Sequence, residues 1–398
     1  MKILHVIAEM NPEHGGVCKA VRTIVEGLME TGISNEVVSL DDPNVEFLEK
    51  DPFIVHALGK AENPWSYSPN LLKWLKTRAV DYDFIVIHGL WLFPSYAVYR
   101  ALSKMKENKP KYFVMPHGML DPYFQKAKGR RLKAFRNWLY WKTLEKKVVN
   151  HAEALLFTCE EEKRLAATSF KPYKPKAEII VGLAIEDPPN YNTNMEEAFY
   201  LVCPEAKQKP YFLFISRIHE KKGLDELVEA YEKLIMKYKA SKQLIPILVI
   251  AGPGLETKYG KHLQKDINEK KIINKLIFFP GMLKNDAKWG AFYKCEAFVL
   301  PSHQENFGIA VVEALACSKP ILISNQVNIW REIQKDKAGI VEKDTVAGTF
   351  KALQTWLELE DMEKNNYSKN ALKCYRENYA MPALIENWKN LLNQSLHK

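Results

Sequence analysis

Two glutamates eight positions apart are the strongest candidates for binding a ligand. Glu305 and Glu313 lie in the segment PSHQENFGIAVVEALA, which covers positions 301–316 and follows the apolar run 297–300. The residues around Glu313 are apolar, and a carboxylate among apolar neighbours needs hydrogen-bond partners if it is buried. Ligand hydroxyl groups can supply those partners. The alternative is an acidic residue before a helix and one solvated glutamate within it, and the spacing alone favours neither interpretation.

The start of the helix that this segment predicts, 307–317, offers donors for the same ligand. The backbone N–H groups of Phe307, Gly308 and Ile309 have no partner within the helix at that end. Because they lie at the positive end of the helix dipole, they can face an anion or a sugar oxygen.

Two cations follow another predicted strand. Arg217 and Lys222 lie in ISRIHEKKG, between the strand 211–216 and the helix 223–237. Fixed cations beside a helix N-terminus, at the carboxyl end of a strand, form a phosphate site. The alternative is solvated surface charge, and the position favours the phosphate site.

A pair of glycines separates the first predicted strand from the first predicted helix. Gly15 and Gly16 follow the strand 2–8 and precede apolar positions that recur with helical spacing up to Met29. The backbone of such a loop can approach a phosphate at the helix N-terminus. A tight turn with no ligand is the other interpretation.

Two common nucleotide-binding motifs are not supported. Gly252 and Gly254 begin a partial match to the dinucleotide fingerprint, but its third glycine is missing and no acidic residue ends the next strand, LIFFPG. No GxxxxGK[ST] loop occurs either. The sequence therefore favours neither a NAD enzyme nor a P-loop ATPase.

The elements that position these residues alternate between strands and helices. Several strands are continuous apolar runs, which indicates parallel strands covered on both faces. The rhythm breaks at 186–209, a stretch rich in proline and asparagine, and a second series of strands and helices begins at Tyr211. The sequence predicts an α/β fold with two Rossmann-like doubly wound domains, 1–205 and 206–379, facing across a cleft.

Composition agrees with an ordinary globular chain. The 398 residues are 47% hydrophobic and 26% charged, which excludes a disordered or collagenous protein. No apolar stretch is long enough to span a bilayer, and the N-terminal apolar run is too short for a signal peptide. The six cysteines are scattered, so neither a disulfide framework nor a zinc site is expected. We expect a cytoplasmic protein.

The net charge of +9 is concentrated in one predicted helix, about 131–150, and the segment before it. Positions 126–150 hold nine Lys or Arg residues and one acid, Glu145, with aromatic residues interleaved. This pattern suits an anionic membrane surface or a lipid-linked acceptor, and peripheral attachment to the inner face of the cytoplasmic membrane. The residues assigned to that surface are Lys128, Arg130, Arg131, Lys133, Arg136 and Trp138. Nucleic acid is disfavoured as a partner. The remaining alternative is a helix packed through Leu132, Phe135, Leu139 and Val148 with a solvated basic face.

Taken in order, these motifs resemble one family over nearly the whole chain. PSHQENFGIAVVEALA resembles the E-x7-E signature of retaining glycosyltransferases with the GT-B fold, especially glycosyltransferase family four. Five further stretches resemble other parts of that family: HVIAEMNPEHGGVCKAVRTIVEGL, VMPHGMLDP, ISRIHEKKGLDELVEAY, VIAGPG and FFPGML. One segment departs from the family's pattern: a Pro-Asn-Gly-hydrophobic-Asp sequence is replaced by IVGLAIE at 180–186.

The resemblance implies a role for each matching residue in binding a nucleotide-sugar donor. Glu313 would hold the donor ribose, and Glu305 would contact the hydroxyls of the transferred sugar. Arg217 and Lys222 would neutralise the diphosphate. The other donor contacts implied are Gly15, Gly16, Leu283, Asn306, Phe307, Gly308 and Ile309.

The resemblance also implies a reaction. His117, with Glu305, Arg217 and Lys222, would lie at the reacting centre, and closure of the domains would bring Gly16 and His117 against the two cations. The expected enzyme transfers a hexose with retention from a nucleotide-sugar to a glycan or lipid-linked acceptor, in polysaccharide assembly, without metal or other cofactor. A final helix, about 380–398, would pack back on the first domain. The alternatives are a non-catalytic subunit of a glycan-assembly complex and an epimerase or phosphorylase of the same fold.

Overall fold

The chain forms two compact units. The structure is a computed structural model that describes residues 1–61, 63–126, 131–241, 243–270 and 272–396. One unit comprises Met1–Ala184 with Met381–Lys398, and the other comprises Ile185–Ala380.

The first unit is built on a sheet of seven parallel strands in the order β3-β2-β1-β4-β5-β6-β7. The strands are β1 Lys2–Val6, β2 Ser34–Ser39, β3 Ile54–Ala57, β4 Phe84–His88, β5 Lys111–Met115, β6 Ala154–Phe157 and β7 Glu178–Ile180. The α-helices between them are α1 Gly16–Met29, α2 Pro69–Arg78, α3 Phe93–Leu102, α4 Tyr123–Lys126, α5 Arg131–Tyr140, α6 Lys146–His151 and α7 Glu160–Ser169. Short 3-10 turns cover Pro12–His14, Glu46–Leu48 and Ala79–Asp81, and a π-helical turn, Trp141–Glu145, joins α5 to α6.

The second unit repeats this plan with six parallel strands in the order β10-β9-β8-β11-β12-β13. The strands are β8 Tyr211–Ile215, β9 Ile247–Ala251, β10 Ile277–Gly281, β11 Ala297–Leu300, β12 Ile321–Ser324 and β13 Gly339–Glu342. Its α-helices are α8 Thr193–Val202, α9 Leu224–Tyr238, α10 Lys258–Glu269, α11 Asn285–Lys294, α12 Ile309–Ala316, α13 Trp330–Lys335, α14 Val346–Glu358 and α15 Asp361–Asn378. Its 3-10 turns are Pro204–Ala206 and Glu220–Lys222.

In both sheets the strand order reverses beside the first strand of the unit. The reversal lies between β1 and β4 in one sheet and between β8 and β11 in the other. The central strands are buried along their length, since they are continuous apolar runs covered by helices on both faces. Loops that leave the carboxyl ends of the strands at such a reversal are where doubly wound sheets bind ligands.

The stretch from 186 to 209, which the sequence predicts to be irregular, contains α8. Asn192 caps this helix by accepting a hydrogen bond from the backbone N–H of Met195 at 3.2 Å. Gly290 of α11 lets the two helices touch, because a Cβ at that position would lie 1.9 Å from the carbonyl oxygen of Met195. The second unit therefore begins at Ile185, ahead of the predicted start at 206.

The last helix, α16 Met381–Leu396, packs on the first unit. Gly27 of α1 leaves room for it, since a Cβ there would lie 2.5 Å from the sulfur of Met381. Trp388 is fully buried, with its ring 6.4 Å from that of His5. The ammonium group of Lys111 donates to the carbonyl of Ser395 at 2.5 Å.

Helix α2 begins at Pro69, because Ser68 caps it by accepting from the N–H of Leu71 at 3.2 Å. In α5, the side chains predicted to pack are exposed: Leu132 by 87%, Phe135 by 64% and Leu139 by 50%. That packing prediction is wrong for these three residues and right only for Val148, which is buried.

Glu145, the one acid of the basic segment, is fully buried in the π-helical turn. Its carboxylate accepts from the backbone N–H of Trp91 at 3.2 Å, and burial raises its pKa to about 7. The six cysteines are buried thiols that form no disulfide with one another. Among the residues described, no helix combines the length and apolar character needed to cross a membrane.

Candidate functional site

In the second unit, two loops meet at the point where the strand order reverses. One runs from β8 to α9 and the other from β11 to α12, and β8 and β11 are neighbours in the sheet. Gly223, with φ of 69°, allows the close approach, because a Cβ there would lie 2.1 Å from the carbonyl oxygen of Pro301. The sequence therefore needs glycine directly after Lys222 to bring the two loops together.

This contact pairs two of the predicted site residues. The buried ammonium group of Lys222 forms an ion pair with the carboxylate of Glu305. The backbone of Glu305 is fixed independently, since its N–H donates to the carbonyl of Gln326 and its carbonyl accepts from the N–H of Asn328, both at 2.9 Å. A charged side chain on a clamped backbone is preorganised for a ligand.

Helix α12 starts two residues later than predicted. Gly308, with φ of 77°, is its N-cap, and Ile309 is the first helical residue. Phe307 therefore precedes the helix, where its buried ring meets the edge of Tyr379 with centroids 5.7 Å apart. Asn306 accepts from the side-chain amide of Asn328 at 3.3 Å. Gly308 provides the left-handed turn by which the chain enters α12, whose N-terminus carries the positive end of the helix dipole.

Glu313 has a partner that the sequence reasoning missed. The carboxylate is buried within α12, and the ammonium group of Lys288 from α11 lies 2.6 Å from it. Lys288 also lies over the ring of Trp289, 4.5 Å from its centroid. No spacing in the sequence signals this pair, because it depends on how two helices pack.

His303, in the same loop as Glu305, was also missed. Its ring lies between two carboxylates, 3.2 Å from Glu226 of α9 and 2.9 Å from Asp344. The hydrogen bonds to Glu226 and Asp344 raise the pKa of His303 to about 9. The protonated imidazole thus ties the loop to α9 and to the segment that follows β13.

The remaining predicted residues of this unit occupy different surroundings. Arg217 is exposed directly after β8, with its side chain available to an anion. Leu283 is buried after β10, whereas the neighbouring Met282 is 61% exposed. The contact between Leu283 and the donor, which the resemblance implies, stays a prediction.

In the first unit, Gly15 of the glycine pair borders a cavity of about 180 Å³. Gly15, with φ of 129°, lies before α1, and Gly16 is the first residue of that helix. A Cβ at either position would meet nothing within 4 Å, so the space in front of the loop is open. The cavity is lined also by His88, Ser95 and Met119.

His117 follows β5 with φ of 52° and begins a row of three histidines. Its Nε2 lies 2.9 Å from Nδ1 of His88, whose Nε2 lies 2.9 Å from Nδ1 of His5. Nε2 of His5 lies 3.0 Å from the side-chain oxygen of Asn35. Burial lowers the pKa of both His117 and His5 to about 4, and lowers that of His88 as well. Only His117 was predicted at the site.

A buried carboxylate holds the backbone next to His117. Glu162 of α7 accepts from the N–H of Gly118 at 2.5 Å and from the N–H and hydroxyl of Thr158 at 2.8 and 2.6 Å. Burial raises the pKa of Glu162 despite these hydrogen bonds. The left-handed turn at His117 and Gly118 is thereby anchored to the neighbouring strand.

The predicted membrane surface lies partly within the described residues. Trp138 is 48% exposed on α5, and Arg131 and Lys133 on the same helix are exposed as well. Arg136 is exposed and lies over the ring of Trp65, 5.5 Å from its centroid. Lys128 and Arg130 lie outside the described residues. Beside α5, an apolar groove of about 630 Å³ is lined by Trp65, Phe135, Leu139 and Tyr140, among others.

The chemistry of the second unit's site is that of binding hydroxyls and anions. Two carboxylates can accept from ligand hydroxyls, and Arg217, Lys222 and the start of α12 can bind phosphate. In the described ranges, no group of three His, Cys, Asp or Glu side chains is arranged to hold a metal ion.

Two family comparisons match this architecture. Residues 202–373 match the family described as glycosyl transferases group 1, and residues 15–180 match the glycosyl transferase 4-like domain. The chain belongs to the family-four-like glycosyltransferases. Its enzyme class is therefore glycosyltransferase, as the resemblance implied.

Individual relatives support the family and the fold. The O-antigen chain mannosyltransferase C of Escherichia coli is 22% identical over 98% of both chains. The structure of a glycosyltransferase from Rickettsia africae has a TM-score of 0.77 at 16% identity, covering 99% of this glycosyltransferase and 98% of that chain. Anabaena Alr3699/HepE in complex with UDP and glucose has a TM-score of 0.71 at 15% identity, covering 99% and 100%. The prediction of a two-domain GT-B fold is confirmed.

Proposed function

We propose that this glycosyltransferase transfers a hexose with retention from a nucleoside diphosphate sugar to a hydroxyl of a glycan or lipid-linked acceptor, without a metal ion. The observation that carries the proposal is the pair of carboxylates, Glu305 and Glu313, each bound to a lysine at the strand reversal of the second unit. A neutral ligand rich in hydroxyls and an anionic diphosphate both find partners there.

Each end of the donor has its own residues in this proposal. Glu313 accepts from the ribose hydroxyls while Lys288 neutralises its charge. Glu305 accepts from hydroxyls of the transferred sugar. Lys222 is released from Glu305 to bind the diphosphate, together with Arg217, so the ion pair serves to hold the lysine in place before the donor arrives.

The reaction follows from these contacts. The bond between the anomeric carbon and the diphosphate oxygen breaks, and a bond to the acceptor oxygen forms on the same face. The acceptor proton passes to the leaving phosphate oxygen. Arg217, Lys222 and the start of α12 stabilise the charge that develops on the nucleoside diphosphate, which is the contribution a metal ion makes in other transferases.

Relatives guide the choice of pathway. The E. coli relative is named for the O-antigen chain, a polysaccharide, and the HepE structure contains UDP and glucose. We therefore place this protein in polysaccharide or glycoconjugate assembly. The exposed basic and aromatic face of α5, with the apolar groove beside it, is proposed to hold the protein on an anionic membrane where lipid-linked acceptors reside.

Donor hydrolysis without acceptor tests the activity. In the presence of a chelator, we expect slow release of nucleoside diphosphate from one class among UDP-, GDP- and ADP-hexoses. Lys222→Ala should reduce the rate by roughly 10²-fold, because one preorganised donor to the developing charge is lost. Lys233→Ala removes an exposed lysine of α9 and serves as the matched control.

Either of two results would contradict the proposal. If the folded protein releases no nucleotide from any donor, the transferase activity is contradicted. The alternative of a non-catalytic subunit is then favoured. Release that stops on chelation would contradict metal independence.

A further inference from the structure

The hydrogen bonds along the row of histidines in the first unit all donate in one direction. The buried end of the row fixes that direction. The side-chain nitrogen of Asn35 donates to the carbonyl of Ile33 at 2.8 Å, so its side-chain oxygen faces His5. That oxygen can only accept, and therefore Nε2 of His5 must carry a proton.

If each ring is neutral, the proton on Nε2 of His5 determines which nitrogen is protonated in the next two rings. A neutral His5 with a proton on Nε2 has an unprotonated Nδ1, which accepts from Nε2–H of His88 at 2.9 Å. Nδ1 of His88 is then unprotonated and accepts from Nε2–H of His117 at 2.9 Å. The last ring, His117, is left with a lone pair on Nδ1.

Burial keeps these rings neutral. His5 and His88 are almost fully buried, and the aromatic ring packed against His5 from α16 is that of Trp388. Because burial disfavours the charged imidazolium, the pKa of each ring is lowered.

The outer end of the row is available to a ligand. His117 is only half-buried, and across the described residues no protein group forms a hydrogen bond with its Nδ1. Glu162 anchors the backbone beside it, so the ring has a fixed place from which to act.

We propose that Asn35, His5 and His88 are positioning residues that hold His117 as its Nε2–H tautomer and present Nδ1 as a hydrogen-bond acceptor for a hydroxyl of the donor sugar or the acceptor. The identity of that hydroxyl rests on the proposed function, whereas the tautomer does not. With the opposite tautomer, Nδ1–H would donate and would not accept a hydroxyl proton.

Nitrogen NMR of the full chain, with ¹⁵N-labelled histidine at pH 7.5, tests the tautomers directly. Signals are assigned by single substitutions. We expect protonated Nε2 and unprotonated Nδ1 in His5, His88 and His117. A His117 ring with Nδ1–H, or a doubly protonated ring in the row, would overturn the proposal.

Two variants of His88 add an activity readout. His88→Gln can still donate to His5 and accept from His117, whereas His88→Leu can do neither. We expect His88→Leu to give a mixture of His117 tautomers and to lower kcat about tenfold, with KM for the donor unchanged, while His88→Gln keeps most of the rate. If kcat falls equally in both variants and the NMR spectrum of His117 is unchanged, the positioning role is contradicted. If NMR shows the expected tautomers but the protein binds no nucleotide, the proposed function is contradicted and the tautomer assignment stands.

Discussion

At the residue scale, the second unit's site is built from opposite charges that hold one another in place. Lys222 with Glu305, Lys288 with Glu313, and His303 with its two carboxylates each join different elements. A buried ion pair contributes little net stability, but removing one partner leaves an uncompensated charge. These pairs therefore position side chains more than they stabilise the fold.

The pKa of His303 gives this arrangement a pH signature. The pKa is about 9 in the folded state and 6.5 in the unfolded state, so the folded protein binds the extra proton between these values. The contribution to stability is complete below pH 6.5 and is lost as pH rises through 9. We expect His303→Gln to lower the free energy of unfolding by about 1–2 kcal/mol at pH 6, an amount reduced for the partial exposure of the ring, and by much less at pH 10.

Denaturant unfolding from pH 6 to pH 10 measures the difference in free energy of unfolding between the wild type and His303→Gln. His262→Gln, at an exposed position on α10, is the control and should show no such trend. A difference that stays constant from pH 6 to pH 10 would mean that Glu226 and Asp344 do not raise the pKa of His303.

At the element scale, α5 and the π-helical turn after it show what periodicity alone misses. Val148 shares a face with Trp141 and Glu145, which are buried, whereas Leu132, Phe135 and Leu139 lie on another face, which is exposed. The sequence contains apolar residues on both faces, so their pattern did not reveal which face packs. The burial of Glu145 could not be predicted, because its partner is the backbone of Trp91, far away in the chain.

The exposed face of α5 predicts salt-sensitive binding to anionic membranes. In flotation experiments, we expect the wild type to bind vesicles of phosphatidylglycerol and phosphatidylcholine at low salt, and to release them at high salt. Reversing two charges, in Arg131→Glu with Lys133→Glu, should weaken binding by at least about tenfold, since each basic residue near the surface contributes about 1 kcal/mol.

The charge-matched control is Lys233→Glu with Lys237→Glu on α9, which should bind like the wild type. If the wild type fails to bind anionic vesicles at low salt, or if both double variants lose binding equally, α5 is not a membrane-binding surface.

At the scale of the whole molecule, the sequence was most informative where a pattern is local. The buried parallel strands are continuous apolar runs, and β11 spans the predicted apolar run 297–300. The start of the second unit was misplaced because α8 has little apolar periodicity and is held by a contact with Gly290, far along the chain. The sequence named the motif residues as candidates but not Lys288, His303, His5 and His88, since only tertiary packing within each unit brings these four beside the motif residues.

The most direct test of the central claim, that the second unit binds a nucleotide-sugar through Glu313 and its neighbours, is calorimetry with UDP, GDP and ADP without added metal. We expect one nucleotide to bind the wild type, and Glu313→Ala to weaken that binding by about 1–3 kcal/mol, the cost of a lost buried polar contact. Glu229→Ala, at an exposed glutamate of α9, should bind like the wild type. Absence of binding by all three nucleotides to the folded wild type, or equal affinity in Glu313→Ala, would contradict the claim.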